Sequence, residues 1–243
     1  MKGKAAVITG GAQGIGFAIA ELLVERGAKV AILDLSKAQL EKAAGILKQR
    51  GGEVLAVPMD IRTGPNCHKA FGEAVAAFGR IDILGNIAGV YVRKPILEIN
   101  DDEWNEMLGV NVRGLYHMTV AAFKHMKEKG GGKIVNIASI DAWKAHPKNT
   151  HYAASKAAVV SLSRSFALEG APHKIYVNTI SPGPVATEKA KQAGWLPEEA
   201  AKVPLGRAAE PRDIAETFCY LAGDESNYIV GANLFVNGGY LIL

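Results

Sequence analysis

The segment Thr9-Gly10-Gly11-Ala12-Gln13-Gly14-Ile15-Gly16 sets the architecture of this chain, because it joins an apolar run to a helical pattern. The run before it, Ala5–Thr9, is typical of a buried strand. After it, apolar residues recur at the spacing of one helix face: Ile15, Ile19, Leu22 and Leu23. The spacing Gly-x-x-x-Gly-x-Gly allows a tight turn, a close approach of the backbone to a bound group, and close packing of helix on strand. We therefore predict a strand, a glycine turn and a helix.

A second apolar run, Val30–Asp34, ends on an acid. In a strand–turn–helix unit, the free N–H groups and the positive end of the helix face a bound phosphate. A carboxylate at the end of the next strand can accept hydrogen bonds from both ribose hydroxyls of a dinucleotide, and it repels a 2′-phosphate. Asp34 therefore predicts NAD rather than NADP as the cofactor. The alternative is a tight turn that binds nothing, with Asp34 as a solvated strand end.

Two other glycine motifs that carry chemistry are absent from the sequence. No Gly-Lys-Ser/Thr follows the glycines, which argues against a P-loop nucleoside triphosphatase. No Gly-x-Ser-x-Gly occurs, which argues against an α/β-hydrolase.

Strand-like runs alternate with helical patterns along the whole chain, which predicts an α/β fold with a mostly parallel sheet. The runs are continuously apolar, so we expect helices on both faces of the sheet. They are Ala5–Thr9, Val30–Asp34, Val54–Met59, Ile81–Ile87, Lys133–Ala138, Ile175–Ile180 and Asn233–Val236. No linker-like stretch interrupts them, and we expect residues 1–243 to form a single domain. Only residues 188–211, with three prolines and mixed charge, read as a long loop with short helices.

Composition excludes several classes of protein. The chain has 243 residues, of which 49% are hydrophobic and 21% charged, as in a globular domain. A net charge of +4 without basic runs indicates neither a nucleic-acid nor a membrane partner. The two cysteines, Cys67 and Cys219, form no metal or disulfide pattern. No apolar window is long enough for a spanning helix or a signal peptide, so we expect a soluble cytoplasmic protein without a metal.

Tyr152-Ala153-Ala154-Ser155-Lys156 places a tyrosine and a lysine one helical turn apart. A nearby ammonium favours the phenolate and lowers the pKa of a tyrosine. Such a tyrosine can exchange a proton with a substrate while a hydride moves at the neighbouring carbon. Ser139, at the end of a predicted strand, could hold the same substrate oxygen. On its own, Tyr-x-x-x-Lys is more often a surface pair, and it gains weight here from the nucleotide motif.

Taken together, these motifs resemble those of the short-chain dehydrogenase/reductase family over essentially the whole chain. The matching segments are Thr9–Gly16, Asn111-Val112-Arg113-Gly114, Ser139, the Tyr152–Lys156 pair, and Pro182-Gly183-Pro184-Val185-Ala186-Thr187. The resemblance implies a Rossmann-type, doubly wound, seven-stranded sheet.

The resemblance also implies a role for each matching position. Tyr152 would be the acid/base, and Lys156 would lower its pKa and hold the nicotinamide ribose. Ser139 would orient the substrate oxygen. Asn111 would position a water that links Lys156 to solvent.

Cofactor-binding positions follow from the same resemblance. Asp60 and Ile61 would contact adenine, Val185 would bond the carboxamide through its backbone, and Thr187 would lie near the carboxamide and phosphates. The full set is Gly10, Gln13, Gly14, Ile15, Gly16, Asp34, Asp60, Ile61, Asn86, Ala88, Gly89, Tyr152, Lys156, Pro182, Gly183, Val185 and Thr187. NADP-preferring relatives often place a basic residue where this chain has Gln13 or Leu35, which again favours NAD.

One position departs from the family pattern. The family's Asn-Asn-Ala-Gly is Asn86-Ile87-Ala88-Gly89 here, preceded by Gly85 where a bulkier apolar residue is usual. The change puts the local hydrogen bonding beside the fourth strand in doubt. It removes no proton-transfer group, so the prediction of an enzyme stands.

We expect the substrate pocket to lie between the catalytic serine, the segment before the tyrosine, and residues 188–211, which would close over substrate as a lid. Its candidate residues are Tyr91, Arg93, Asp141, Trp143, His146 and Trp195. Asp141 could accept a hydrogen bond from a substrate hydroxyl, as suits a polyol or hydroxy acid. Arg93, Lys144 and His146 could bind an anion, although solvated charges are the preferred interpretation for Arg93 and Lys144.

These observations predict an NAD(H)-dependent oxidoreductase that interconverts a secondary alcohol and a ketone. The alternatives are an NADPH-dependent 3-oxoacyl-thioester reductase and a non-catalytic NAD-binding regulator or scaffold. The family resemblance implies a homotetramer. We expect its interfaces at the largely apolar helix 153–168 and the C-terminal Tyr240-Leu241-Ile242-Leu243.

Overall fold

In a computed structural model, which describes residues 1–242, seven strands form one sheet in the order β3-β2-β1-β4-β5-β6-β7. All neighbouring strands are parallel, and β1 pairs Ala5 with Lys29 on one side and Thr9 with Asn86 on the other. The strands are β1 (Ala5–Thr9), β2 (Lys29–Asp34), β3 (Val54–Pro58), β4 (Ile83–Asn86), β5 (Gly132–Ile137), β6 (Ile175–Pro182) and β7 (Asn233–Val236). The predicted α/β class and seven-stranded sheet are confirmed, and strand ends differ from prediction by at most two residues.

Helices cover both faces of this sheet. They are α1 (Gly14–Glu25), α2 (Lys37–Gln49), α3 (Gly64–Phe78), α4 (Asp101–Leu108), α5 (Leu115–Glu128), α6 (Thr150–Gly170), α7 (Glu188–Gln192), α8 (Leu196–Ala201) and α9 (Pro211–Ala222). One apolar core packs α1, α2 and α9 on the sheet, and a second packs α3 and α5 on the other face. The inner strands β1, β2, β4, β5 and β6 are therefore largely buried on both sides, which explains why their runs are apolar without alternation, whereas the edge strands β3 and β7 are partly exposed. Within residues 1–242, no helix is long and apolar enough to cross a bilayer.

The strand order reverses direction between β1 and β4, and this is where an open parallel sheet forms a crevice at its carboxyl edge. The ends of β1, β2, β4, β5 and β6 carry Thr9, Asp34, Asn86, Ile137 and Pro182 to that edge. Residues far apart in sequence thus meet in one place, and the candidate site lies there.

Candidate active site

The glycine turn is shaped by backbone contacts that leave no room for side chains. A Cβ on Gly16 would lie 2.1 Å from the carbonyl oxygen of Gly10. Gly10 has a φ of +65°, and a Cβ there would lie 2.9 Å from the Cα of Ala88. Gln13 precedes α1 but its side chain caps no N–H, and the first turn contains no acid. The first N–H groups of α1 therefore remain available to an anion, as the nucleotide prediction requires.

Asp34 ties the end of β2 to the glycine turn. Its carboxylate accepts hydrogen bonds from the N–H of Ala12 at 3.3 Å and of Leu35 at 2.8 Å. Lys37, on the first turn of α2, is exposed and lies 3.9 Å from Glu41. The acid therefore stands at the carboxyl edge of the sheet without an ion-pair partner among residues 1–242, where it can bind hydroxyl groups.

The residues predicted to contact adenine have other partners. Asp60 forms an ion pair with Arg62, and the hydrogen bond from the guanidinium lowers the pKa of this carboxyl. Arg62 also pairs with Glu106 of α4. The Ile61 side chain is buried, and a Cβ on Gly114 would lie 2.7 Å from it. Asp60 and Ile61 thus fix the end of β3 against the next helical layer.

Asn86 has a structural position inside the sheet edge. Its Nδ2 donates to Thr119 Oγ1 at 3.0 Å and to Asn136 Oδ1 at 2.8 Å. The side chain is buried and bonds across to α5 and β5. Its amide thus joins elements behind the site, and the adjoining Gly89 is the part of this motif that lines the cleft.

The departure at Ile87 is compensated at Gly85. A Cβ on Gly85 would lie 2.7 Å from Ile87 Cδ1, so the isoleucine fills the space that the missing side chain leaves. The backbone bonds in doubt are kept, because Thr9 Oγ1 accepts from the N–H of Ile87 at 3.0 Å and of Ala88 at 3.1 Å. The two unusual residues therefore form one packing unit.

A cleft of about 650 Å³ opens at the carboxyl edge of the sheet. It joins some of the predicted cofactor residues to Ser139, Tyr152 and Lys156 in one continuous surface, but Asn111, Asp34 and the glycines of the turn 9–16 are not among its lining residues. The predicted cofactor and proton-transfer residues that line it are Ile15, Gly89, Ser139, Tyr152, Lys156, Pro182, Gly183, Val185 and Thr187. Ile87 also contributes to the wall, so the departure from the family motif faces the cleft.

Tyr152 and Lys156 occupy the same face of α6, as the i, i+4 spacing predicts. Lys156 is buried, its Nζ donates to the carbonyl of Ile137 at 2.8 Å, and it lies 5.7 Å from the centroid of the Tyr152 ring. Burial lowers the pKa of Lys156 to about 8. Burial also raises the pKa of Tyr152, helped by the charge of Asp141, while a hydrogen bond with Ser139 lowers it. The direction for Tyr152 is opposite to the predicted one, because desolvation of the phenol and the charge of Asp141 outweigh the hydrogen bond with Ser139.

Asn111 lies in a π-helical segment, Gly109–Gly114, between α4 and α5. Its side chain accepts from the N–H of Val90 at 2.8 Å and donates to the carbonyl of Val90 at 3.1 Å and to Ser155 Oγ at 3.0 Å. π-Helical turns occur frequently at functional sites. The amide therefore locks the loop after β4 to α6, immediately behind Gly89.

Asp141 is the centre of a polar network on the substrate side of the cleft. It forms an ion pair with His146 and accepts from Asn149 Nδ2 at 2.9 Å. The same Nδ2 donates to Tyr91 Oη at 3.2 Å. Burial raises the pKa of Asp141, while its bonds to His146 and Asn149 act in the opposite direction. The carboxylate is thus held in place by nitrogen donors on both oxygens.

Five of the six predicted substrate-pocket residues line the cleft: Tyr91, Arg93, Asp141, His146 and Trp195. Trp143 does not, and that prediction is wrong. The turn after Ser139 closes with a bond from Trp143 N–H to the carbonyl of Ile140, and the indole lies against Phe235 of β7. This turn directs the side chain out of the cleft, where it is 46% exposed.

Residues 188–211 contain α7 and α8, and five of them line the cleft: Lys189, Ala190, Ala193, Trp195 and Glu199. Thr187 caps α7, its Oγ1 accepting from the N–H of Ala190 at 3.2 Å, and its Cγ2 would lie 3.3 Å from a Cβ on Gly14. Val185 bridges to Ala209, and neither bond of that bridge uses the Val185 N–H. The N–H of Val185 therefore has no backbone acceptor in this bridge, as the predicted contact with a carboxamide would require.

Sequence reasoning missed three polar residues of the site: Asn149, Glu199 and Tyr240. Asn149 and Glu199 line the cleft, and Tyr240 joins Glu199 to His146. No local motif marks them, since their partners lie up to 94 residues away. Within residues 1–242, no group of three or more His, Cys, Asp or Glu side chains could hold a metal ion.

The glycine turn, the order of the strands and the helix that carries Tyr152 and Lys156 together define the fold of a dinucleotide-dependent oxidoreductase. Comparison with known proteins identifies the family. A family model described as "Enoyl-(Acyl carrier protein) reductase" matches residues 10–241. The chain belongs to the short-chain dehydrogenase/reductase family.

Similar proteins within this family differ in activity. The chain is 39% identical over 242 residues to an NAD-dependent glycerol dehydrogenase of Listeria innocua, covering 98% of this chain and 94% of that protein. It is 36% identical over 241 residues to a 3-oxoacyl-(acyl-carrier-protein) reductase of Vibrio harveyi, covering 98% of each. The structure of NAD⁺-bound xylitol dehydrogenase superposes with a TM-score of 0.95 at 30% identity, covering 98% of this chain and 99% of that one.

Proposed function

We propose that this protein is an NAD(H)-dependent dehydrogenase that interconverts a secondary alcohol, such as a polyol, a hydroxy acid or a cyclic alcohol, and the corresponding ketone. The observation that carries the proposal is the single cleft in which Ser139, Tyr152 and Lys156 lie with Ile15 of the glycine turn. A binding protein without catalysis would need the turn but not these three side chains, which argues against a regulator or scaffold.

The residues present fit a nicotinamide dinucleotide. A Cβ on Gly10 or Gly16 would collide with backbone, so these glycines keep the turn tight, and α1 offers uncapped N–H groups to a pyrophosphate. Asp34, without an ion-pair partner, would hold the adenosine ribose and disfavour a 2′-phosphate. When bound, NAD⁺ supplies the hydride acceptor for the reaction.

Tyr152 would handle the proton. In alcohol oxidation its phenolate takes the hydroxyl proton as the hydride leaves the carbinol carbon, and in ketone reduction the phenol returns it. Ser139 would hold the same oxygen, and Lys156 would stabilise the phenolate. In the free protein burial raises the pKa of Tyr152, and the ammonium of Lys156, 5.7 Å from the ring centroid, would favour the phenolate and oppose that rise.

A 3-oxoacyl-thioester reductase is the second candidate. The 36% identity to the Vibrio harveyi reductase and the description of the family model favour it. Asp34 opposes it where that activity depends on NADPH. The glycerol dehydrogenase and the xylitol dehydrogenase support the first candidate, since both act on polyols by name.

Separate titrations with NADH and NADPH test the proposal, with Trp195 fluorescence as the readout. Trp195 lines the cleft and packs on Tyr91 with a centroid distance of 5.7 Å, whereas Trp143 lies outside. We expect tight NADH and weak NADPH binding, a signal lost in Trp195→Phe and kept in Trp143→Phe. A screen of polyols, hydroxy acids and cyclic alcohols with NAD⁺ then identifies the substrate. Tight NADPH binding with turnover of a 3-oxoacyl thioester would establish the second candidate instead.

We further propose a cytoplasmic homotetramer. Leu168 on α6 is 79% exposed and Ile242 is 82% exposed, so both expected interface regions retain apolar surface. Tyr240 contributes nothing to that surface, since it is buried against Ile140 and Val203, and Leu243 lies outside the described residues. Gel filtration with light scattering at micromolar protein tests the assembly, and a monomer would refute it.

A further inference from the structure

A chain of hydrogen bonds crosses the cleft wall from the turn after Ser139 to the lid. Asp141 Oδ1 bonds His146 Nδ1, and His146 Nε2 lies 3.2 Å from Tyr240 Oη. Tyr240 Oη donates to Glu199 Oε2 at 2.7 Å. Glu199 belongs to α8, so one imidazole stands between a carboxylate of the catalytic turn and a carboxylate of the lid.

The groups at the two ends of this chain of hydrogen bonds fix the number of protons in it. Asp141 and Glu199 are acceptors, and the phenol of Tyr240 has one proton, which goes to Glu199. Burial and the bond to Glu199 raise the pKa of Tyr240 to about 12, so this proton stays in place. For both ring nitrogens to be bonded, His146 has to donate from each of them, to Asp141 and to Tyr240.

Neither neutral form of His146 can make every bond in this chain of hydrogen bonds. With the proton on Nδ1, the lone pair of Nε2 faces Tyr240 Oη, and the phenol must turn away from Glu199 to supply it. With the proton on Nε2, the lone pair of Nδ1 faces the Asp141 carboxylate. Loss of one proton therefore breaks the link from His146 to the lid at one of two places: between His146 and Tyr240, or between Tyr240 and Glu199.

We propose that His146 is a positioning residue which, in its charged form, fastens the lid helix α8 to the turn that carries Ser139, so that lid closure depends on pH. The favoured charge sets the sign: docking of α8 is stronger where His146 is protonated than where it is neutral, so docking weakens as pH rises. The effect of His146 on substrate binding rests on the proposed function, whereas the docking of α8 to the turn does not.

Other charges around His146 act on the same equilibrium. They are Asp141 and Lys144 of its own loop, Tyr240 of the C-terminal turn, Glu199 and Lys202 of the lid region, and Tyr91 across the cleft. Lys144 lies 4.7 Å from the centroid of the Tyr240 ring. Lys202 donates to Glu199 at 3.1 Å, so Glu199 keeps one partner when the phenol turns away. The loss of a proton thus loosens α8 without unfolding it.

The chain supplies a matched pair of variants. Glu198 and Glu199 both bind Lys202, but Glu198 is exposed and Glu199 alone reaches Tyr240. In Glu199→Gln the side-chain amide can either accept from the phenol or donate to it. Tyr240 can then serve both the charged and the neutral His146, and the pH dependence disappears. Glu198→Gln should behave as the wild type.

Hydrogen exchange of the α8 amides, corrected for intrinsic rates, tests this on the whole protein. Between about pH 6 and about pH 8, the range over which histidine changes charge, we expect protection of α8 to fall about tenfold in wild type and Glu198→Gln, as loss of one charged hydrogen bond implies. Glu199→Gln should show little change, and Tyr240→Phe should be weakly protected at both pH values. Equal pH dependence in the two glutamate variants, or none in the wild type, would overturn the proposal.

A kinetic readout follows once a substrate is found. KM should rise with pH in the wild type and Glu198→Gln but not in Glu199→Gln, while the pH profile of kcat, set by Tyr152, stays the same in all three. Exchange needs no substrate. A protein that turns over no alcohol but shows the exchange pattern would refute the proposed function and leave the role of His146 intact.

Discussion

The glycine turn and the substrate wall of the cleft are built by different means. Around Gly10 and Gly16 the surface consists of backbone, and its shape excludes even a methyl group. On the opposite side, Asp141, His146 and Tyr240 form a network of side chains whose members lie far apart in sequence. The first region is shaped by the absence of side chains, and the second is formed by their presence.

The two regions also differ in how much substitution their construction allows. The glycine turn leaves little room for side chains, because a Cβ on Gly10 or Gly16 would meet backbone and a Cβ on Gly11 would meet the side chain of Ile32. A network of side chains can be exchanged one residue at a time while the fold remains. The two regions should therefore respond separately to mutation, and four experiments test how separate they are.

Tyr152→Phe should have the largest effect. The phenyl ring keeps its packing on Tyr91, with a centroid distance of 4.6 Å, but loses the group that carries the proton. We expect kcat to fall by about 10²- to 10⁴-fold with NADH affinity unchanged. Turnover comes from NADH absorbance and affinity from fluorescence. Retained turnover would show that another group transfers the proton.

Gly16→Ala should have the opposite effect to Tyr152→Phe, a loss of NADH affinity rather than a loss of proton transfer. Its Cβ would lie 2.1 Å from a backbone oxygen, so the turn must shift and NADH affinity should fall by about 100-fold, the equivalent of two lost hydrogen bonds. Gly45→Ala, in α2 with nothing within 4 Å of its Cβ, is the control and should be neutral or slightly stabilising. Comparable affinities in both variants would mean that the turn does not hold the cofactor.

Asp34→Ala combined with Leu35→Arg should alter cofactor choice without affecting the substrate wall. Leu35 is 70% exposed beside the carboxylate, so an arginine there can reach a 2′-phosphate. We expect the ratio of NADPH to NADH affinity to rise by about 10- to 100-fold, as one or two charge-assisted bonds imply. An unchanged ratio would place the ribose contact elsewhere.

The smallest effect is expected at the packing unit of Gly85 and Ile87. Gly85→Val alone brings its side chain into Ile87, Ile8 and Phe218, and Ile87→Asn alone leaves a gap. Each single variant should lose about 1–3 kcal/mol of unfolding free energy. The double variant should recover at least about 1 kcal/mol of that loss, because one change makes room for the other. Strict additivity in urea unfolding would show that the two sites are independent.

Much of the fold could be predicted because its signals are local. Seven apolar runs gave the strands to within two residues, and the turn 9–16 required a strand before it and a helix after it. Tyr152 and Lys156 were predictable as a pair because four residues along a helix return to the same face. Trp143 was predicted wrongly for the same reason that Glu199 and Tyr240 were missed. The direction of a side chain after a turn, and partners at opposite ends of the chain, leave no periodic signal.

By itself, the sequence determined the order of strands and helices, the glycine turn and the acid at the end of β2. It also determined the four positions that match the family's motifs: Asn111, Ser139, Tyr152 and Lys156. These depend on spacing within a few residues, and local geometry converts such spacing directly into structure. Only the tertiary structure decided the direction of the pKa shift at Tyr152, the fit of Ile87 to Gly85 and the link from Asp141 through His146 to the lid. Burial, packing and proton sharing are properties of neighbours in space, and the folded sheet alone brings those neighbours together.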